Sequence, residues 1–428
     1  MVKLAKFDIE FNNAESAYFA GQEVSGKVVI ENNEPKKVNE ILLELKGRAK
    51  TYWTKHSGKS RKHCSQAEPY FCEQFNTCYT HQFTQTISDN KKERILPHGR
   101  HEIPFSFTLP KTLPTSFEGE FGFIRYTCKA ICERPWDVDI VSKRAFTVIG
   151  IEDINQDPEA MEPVCETECI STVKHCCQKQ GSIGVKISLD RTGFTPGEKI
   201  QVNTLITNDS TKMIRSLTLK MKQYVDYRAK TFAGNEEMKQ ANRIIVKKEK
   251  SDIASHSTFA WTNETIDVPP VPPRLSRCKI IQNTYMIELD VDGNIATVIP
   301  IQIGTIPCLK TLFQRNLNGK EKNDDENSRL NGDIKINESM STTPITAENG
   351  QTLDDTGETD ELSPDMEMML LSKKRVRIPS SILSELYPKL PNPYYRQSLF
   401  GEVDISEDQE RIHYGDTKFA PKYPFYTD

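Results

Sequence analysis

Apolar and polar residues alternate along much of this chain at a period of two, the spacing of a strand with one buried face. In Glu40-Ile41-Leu42-Leu43-Glu44-Leu45-Lys46-Gly47 the alternation puts Ile41, Leu43 and Leu45 on one side. Ser216-Leu217-Thr218-Leu219-Lys220-Met221-Lys222 does the same with Leu217, Leu219 and Met221. Val24 to Ile30 and Ile200 to Ile206 predict two more strands. Between apolar runs stand turn formers, among them Asn32-Asn33-Glu34-Pro35, Pro97-His98-Gly99 and Asp292-Gly293-Asn294. No long segment has an amphipathic helical period, so the pattern predicts an all-β protein of sandwich type.

The pattern also repeats. Tyr18-Phe19-Ala20-Gly21-Gln22-Glu23-Val24, followed by Val28-Val29-Ile30-Glu31-Asn32 and by Val38, Ile41, Leu43 and Leu45, recurs without a gap 176 positions later. The second copy reads Phe194-Thr195-Pro196-Gly197-Glu198-Lys199-Ile200, Thr204-Leu205-Ile206-Thr207-Asn208 and Ile214, Leu217, Leu219 and Met221. Ile124 to Ala130 has a looser counterpart in Ile281 to Ile287. Such a period is too long for a solenoid and suits a whole domain, so two similar domains lie in tandem.

Composition changes the picture mainly at the end of the chain. With 428 residues, 36% of them hydrophobic, there is material for two ordinary cores. Residues 1–310 hold 42 basic against 38 acidic side chains, whereas residues 315–369 hold 5 against 14. That acidic stretch has few apolar clusters to offset chain entropy and is expected to be a disordered linker. No run approaches the roughly 18 apolar residues of a membrane span, and Met1-Val2-Lys3-Leu4 lacks the apolar core of a secretory signal. Eleven irregularly spaced cysteines fit a reducing compartment. The expectation is a cytoplasmic protein, with Asn208-Asp209-Ser210 and Asn263-Glu264-Thr265 as chance glycosylation patterns.

Several motifs together resemble one family. They are Phe7-Asp8-Ile9, the repeated aromatic-x-x-Gly-Gln/Glu, Ile103-Pro104-Phe105-Ser106-Phe107 with Leu109-Pro110, and Pro300-Ile301-Gln302-Ile303-Gly304-Thr305-Ile306-Pro307. In order and spacing the chain resembles the arrestin-domain-containing proteins, or α-arrestins, over about residues 1–309. The resemblance implies an all-β fold: two tandem arrestin-type immunoglobulin-like β-sandwiches followed by a largely disordered tail. The expected divisions are 1–150 and 180–309 for the two arrestin domains, 151–179 for a Cys-containing connection, 310–372 for the acidic linker and 373–428 for a Tyr/Pro-containing tail. It further implies a cytoplasmic trafficking adaptor, peripherally at plasma membrane and endosomes, with membrane receptors or transporters as cargo and a WW-domain ubiquitin ligase as partner.

Ligase recruitment in that family uses Pro-Pro-x-Tyr, whose prolines pre-set a polyproline turn for an aromatic WW groove. Here the nearest approaches are Ala420-Pro421-Lys422-Tyr423 and Tyr423-Pro424-Phe425-Tyr426, with Leu390-Pro391-Asn392-Pro393-Tyr394 next. Pro421, Tyr423, Pro424, Tyr426, Pro393 and Tyr394 are therefore the candidate ligase contacts, several weak sites acting through effective concentration. The alternative is that these residues pack back on a sandwich as an added edge strand or loop. Tyr387-Pro388-Lys389-Leu390 fits the tyrosine-x-x-apolar pattern of clathrin adaptors, through Tyr387 and Leu390.

Lys3, Lys6, Arg48, Lys50, Arg125 and Lys129 fall on predicted strands of the first domain, where cations can face phosphorylated or acidic cargo or simply water. Residues 373–377 form a basic run suited to anionic lipid or to the acidic linker, too short for nucleic acid. The cluster from Cys165 and Cys169 to His175, Cys176 and Cys177, and that of His63, Cys64, Cys72, Cys78 and His81, hold soft metal ligands without paired Cys-x-x-Cys knuckles. Free thiols are the ordinary reading, so no cofactor is expected; palmitate on Cys176 and Cys177 is a second use. Asp290-Val291-Asp292-Gly293 lacks the spacing of a calcium loop and reads as a hairpin turn. No nucleophile-base motif or phosphate loop occurs, so no enzymatic activity is expected. A redox- or metal-responsive scaffold, similar to the thioredoxin-interacting branch, and a retromer-like sorting component are the alternatives to the adaptor. Thr343-Pro344 and Ser363-Pro364 are candidate phosphorylation sites in the linker.

Overall fold

The structure is a computed structural model that describes residues 4–58, 60–88, 91–173, 179–293, 295–310, 381–388, 390–407 and 411–426. Most of the acidic linker, the basic run 373–377, Lys3, His175, Cys176, Cys177, Thr343 and Ser363 lie outside the described residues. The described residues up to Cys308 and from Ser381 on belong to one compact unit.

That unit is two sandwiches. In the first, a three-stranded sheet of Lys6–Phe11, Glu23–Asn32 and Gly99–Thr108 faces the strands Ser60–Asn76, Ile41–Ser57, Gly122–Cys132 and Ile140–Ile149. In the second, Val164–Val173, Lys179–Leu189, Lys199–Asn208 and Ser257–Asp267 face Leu217–Thr231, Ile281–Val291 and Ile295–Ile303. Part of the stretch 151–179 read as a connection is therefore a strand of the second sandwich.

The alternation seen in the sequence is the burial pattern. Ile41, Leu43 and Leu45 are buried in one core with Val24, Val28 and Tyr126, and Leu217, Leu219 and Met221 in the other with Ile200, Val202 and Ile206. One large sheet runs through both sandwiches, because Lys230 and Thr231 at the end of Leu217–Thr231 pair with Ser65 and Cys64. Tyr227, Ala229, Cys278 and Ile280 of the second half accordingly pack in the first core.

The repeated motif is a turn. Gly21 and Gly197 both take a positive φ, 90° and 94°, which a side chain would strain. One residue later, Gln22 Oε1 accepts from the Phe19 N–H at 2.6 Å, and Glu198 Oε2 accepts from the Thr195 N–H at 2.7 Å. The glycine and the Gln or Glu thus supply one device twice, a tight turn closed by a side-chain acceptor. Each turn leads its short strand parallel to the last strand of its sandwich, Phe19 beside Ile149 and Phe194 beside Ile303.

Candidate functional site

Three neighbouring strands of the first sandwich build a cationic outer face. Ile41–Ser57 turns Lys46, Arg48 and Lys50 outward because Leu45 and Ala49 are needed inside. Gly122–Cys132 turns out Phe123, Arg125 and Lys129 because Ile124, Tyr126 and Cys128 are buried. In register, Arg125 stands opposite Arg48 and Lys129 opposite Lys143. Like charges opposite one another repel, so such a face needs counter-charge. Glu118 supplies some of it, accepting from Arg125 Nε and Nη2 at 2.8 Å each, while the guanidinium lies 3.9 Å over the Phe123 ring.

Glu44 stands opposite Lys129 on the same face, and a further carboxylate comes from the end of the chain. Glu407 pairs with Arg48, and Ile405, two residues before it, is fully buried, its carbonyl accepting from Arg125 Nη1 at 3.5 Å. Burial pushes the Glu407 carboxyl up, but the Arg48 guanidinium, with Lys143 and Lys50, outweighs it and holds the group below its ordinary value. The contribution of Glu407 to docking is therefore present above the ordinary carboxylate range and is lost as the pH falls through the lowered pKa. Tyr414 and Gly415 then extend the edge of Ile140–Ile149 in parallel, paired with Ser142 and Lys143. The Tyr414 hydroxyl donates to the Leu4 carbonyl at 2.8 Å, and its ring meets Phe7 edge-on. Gly415, at φ 91°, lies so close that an added Cβ would sit 2.3 Å from the Lys143 oxygen.

The final strand, Lys422–Phe425, pairs with Tyr394–Gln397. Tyr423 is buried, its hydroxyl donating to the Ser116 carbonyl at 3.2 Å; Tyr426 is buried, donating to the Thr305 carbonyl at 2.9 Å. Burial pushes both phenols well up. Pro393, Pro421 and Pro424 are buried and Tyr394 half-buried. Tyr387, after the short helix Ser381–Leu386, donates to Asp153 Oδ2 at 2.7 Å, and Leu390 is buried. Tyr423 and Tyr426 of the candidate ligase motifs thus bond to the sandwiches.

The cations separate into two groups. Arg48, Lys50, Arg125 and Lys129 share the face just described, whereas Lys6 lies on the three-stranded sheet, paired with Glu10 at 2.7 Å. Sequence reasoning passed over Lys46, Lys143, Glu118 and the acidic run around Ile405. The signal available was the alternation of Val403 and Ile405 with Glu402, Asp404 and Glu407.

The cysteine clusters disperse. Cys64 is buried, Cys72, Cys78, Cys165 and Cys169 are exposed, and His81 pairs with Glu40. Among the described residues no group of His, Cys, Asp or Glu is placed to hold a metal ion. Among them, too, no helix is long and apolar enough to cross a membrane.

Comparison with known proteins accords with this architecture. Residues 7–155 match the model of the arrestin (or S-antigen) N-terminal domain, and residues 179–308 that of the C-terminal domain. Over its whole length the chain is 54% identical to Arrestin domain-containing protein 17 of Caenorhabditis elegans, which is covered completely. It is 29% identical to human Arrestin domain-containing protein 4 over 68% of this chain and 69% of that one. Human Thioredoxin-interacting protein is 25% identical over 71% of this chain and 75% of its own.

Proposed function

The chain belongs to the arrestin-domain family, and from that premise we propose that it is a non-enzymatic trafficking adaptor, joining membrane-protein cargo to a WW-domain ubiquitin ligase. The observation that carries the proposal is the cationic face of the first sandwich, occupied by an acidic segment of the same chain through Arg48, Arg125, Ile405 and Glu407. A face that accepts this segment suits acidic or phosphorylated cargo tails of the same chemistry. The work is proximity, and none of the matched domain models is catalytic.

Burial of Tyr423 and Tyr426 sets a condition on the other half of the proposal. A WW groove must take a tyrosine ring and polyproline backbone that the docked tail keeps against Ser116 and Thr305. Ligase binding then requires the tail to leave, and the affinity seen is reduced by the fraction of tail that is undocked. The same condition applies to Tyr387 and Leu390 as a clathrin-adaptor contact. Endosomal and plasma-membrane residence follows from such partners and is part of the proposal.

Pull-down by isolated WW domains tests this with four full-length proteins: wild type, Ile405→Asp, Tyr423→Ala with Tyr426→Ala, and the triple variant. Ile405→Asp puts a charge at a fully buried anchor outside the motif and loosens the tail. Expected are weak retention of wild type, several-fold more for Ile405→Asp, and none for the triple variant. Equal retention of Ile405→Asp with and without the two tyrosines would sink the ligase proposal.

A further inference from the structure

Two hairpins stand side by side at the seam of the large sheet. The first joins Ile41–Ser57 to Ser60–Asn76, and the second joins Leu217–Thr231 to Glu236–Lys250. Their neighbourhood is fixed by the pairs Lys230 with Ser65 and Thr231 with Cys64, one residue from Phe232 and from His63. Both tips carry a glycine at positive φ, Gly58 at 60° and Gly234 at 84°, around which an added Cβ would meet nothing within 4 Å. The tips therefore project from the body.

Their chemistry is unlike the rest of the surface. No Asp or Glu occurs in the sequence between Glu44 and Glu68, and Lys55, Arg61 and Lys62 are exposed in the first hairpin. On the second tip Phe232 is fully exposed (107%), and Met238 on the following strand is 63% exposed. Tyr52 is half-exposed, its ring stacked on His63 with centroids 6.1 Å apart and its hydroxyl 3.0 Å from Nδ1. The counter-charges on these tips are Glu237, which pairs with Lys55 at 2.7 Å, and Glu236, 3.9 Å from Lys230. Arg61 and Lys62 lie within the stretch 45–67, which holds no Asp or Glu.

The Phe232 ring is held wholly out at a turn, beside the exposed cations of the first hairpin. It fits an interface that is fluid, apolar a few ångströms down and negatively charged at its surface. We propose that the paired hairpins are a contact for an anionic lipid bilayer, with Phe232 entering below the headgroups and Lys55, Arg61 and Lys62 meeting lipid phosphates and carboxylates. Tyr52 and His63 form the amphipathic layer between them. This gives the membrane-side orientation of the adaptor reading a physical surface, and it rests on that reading only in placing a bilayer nearby.

Vesicle co-sedimentation of the full chain, without cargo or ligase, tests it. Phosphatidylcholine vesicles with phosphatidylserine are expected to bind the chain, vesicles of phosphatidylcholine alone to leave it in solution, and raised salt to release it. Each cation removed lowers partitioning roughly fivefold, so Arg61→Gln with Lys62→Gln lowers it about thirtyfold. Phe232→Ser lowers it roughly tenfold. Neither change touches a buried residue, and Lys186→Gln with Lys212→Gln, two exposed lysines of the second sandwich, is the control. Equal binding to both vesicle types, unchanged binding of both hairpin variants, or an equal loss in the control pair overturns the proposal. Vesicle binding with failed WW-domain retention keeps this inference and removes the ligase link; the reverse removes this inference alone.

Discussion

The turn at residues 15–22 and its copy at 191–198 have the same backbone and different closures. In the second, Glu198 accepts from the Thr195 N–H and pairs with Arg191 at 3.0 Å, with side chains only 4% and 8% exposed. Arg191 also lies 4.5 Å over the Phe194 ring. In the first, Gln22 makes the same backbone bond without a charge, and Glu15 stands where Arg191 stands in the copy. The partner of Glu15 is Lys422, at 2.8 Å, from the far end of the chain. Gly21 of the first turn also lies beneath Ile382, where an added Cβ would be 2.6 Å from the Cδ1 atom. Both turns are closed by their own acceptor, but the second also pairs its charges within its own sandwich, while the first pairs Glu15 with the tail.

The largest expected difference is in the acceptors themselves. Glu198→Ala strands a buried Arg191 and the Thr195 N–H, which should cost about 3–5 kcal/mol. Gln22→Ala leaves one backbone N–H without its acceptor, at about 1–2 kcal/mol. Denaturant titration of the two variants measures both losses. Equal losses would mean that charge plays no part in closing the second turn, and the contrast between the copies would fail.

Docking of the tail gives the next effect. Tyr423→Phe keeps the ring in its site and removes the bond to the Ser116 carbonyl, for a loss of about 1 kcal/mol. The measurement is hydrogen exchange over residues 394–397 and 422–425, which distinguishes local opening of the tail from global unfolding. Protection should fall there and stay constant in Lys199–Asn208 of the second sandwich. A fall in both would show that the tail is part of one cooperative unit.

The sandwiches were legible and the docked tail was not, for a physical reason. Strands such as Ile41–Ser57 bury every second residue, so a window of the sequence records the pattern. The repeated Gly and Gln/Glu were equally visible, although the acceptor role of Gln22 and Glu198 needed coordinates. Val164–Val173 escaped because Cys165 and Glu166 to Cys169 are all exposed and no alternation marks the strand. The tail is held by Leu383, Ile405 and Tyr423, single anchors set far apart among polar residues. Tyr423 meets Ser116, far away in sequence, and no local window carries that information. The basic face was half-read: Arg48, Lys50, Arg125 and Lys129 came from strand prediction, whereas their juxtaposition came from register.

The smallest effect isolates the point on which the two turns differ. Lys422 and Glu15 are 24% and 38% exposed, so their coupling in a double-mutant cycle of Lys422→Ala and Glu15→Gln should be about 0.2–1 kcal/mol. Hydrogen exchange of residues 422–425 reads it, and raised salt should shrink it. Glu15→Arg with Gln22→Glu goes further, since it writes the charges of the second turn into the first. The new arginine can meet the new glutamate as Arg191 meets Glu198, while Lys422 loses its carboxylate and faces a cation. The sandwich should then melt as wild type and the tail should exchange faster. If residues 422–425 keep their full protection in that variant, the tail is held by its buried rings alone, and the difference between the two turns has no bearing on where the chain end rests.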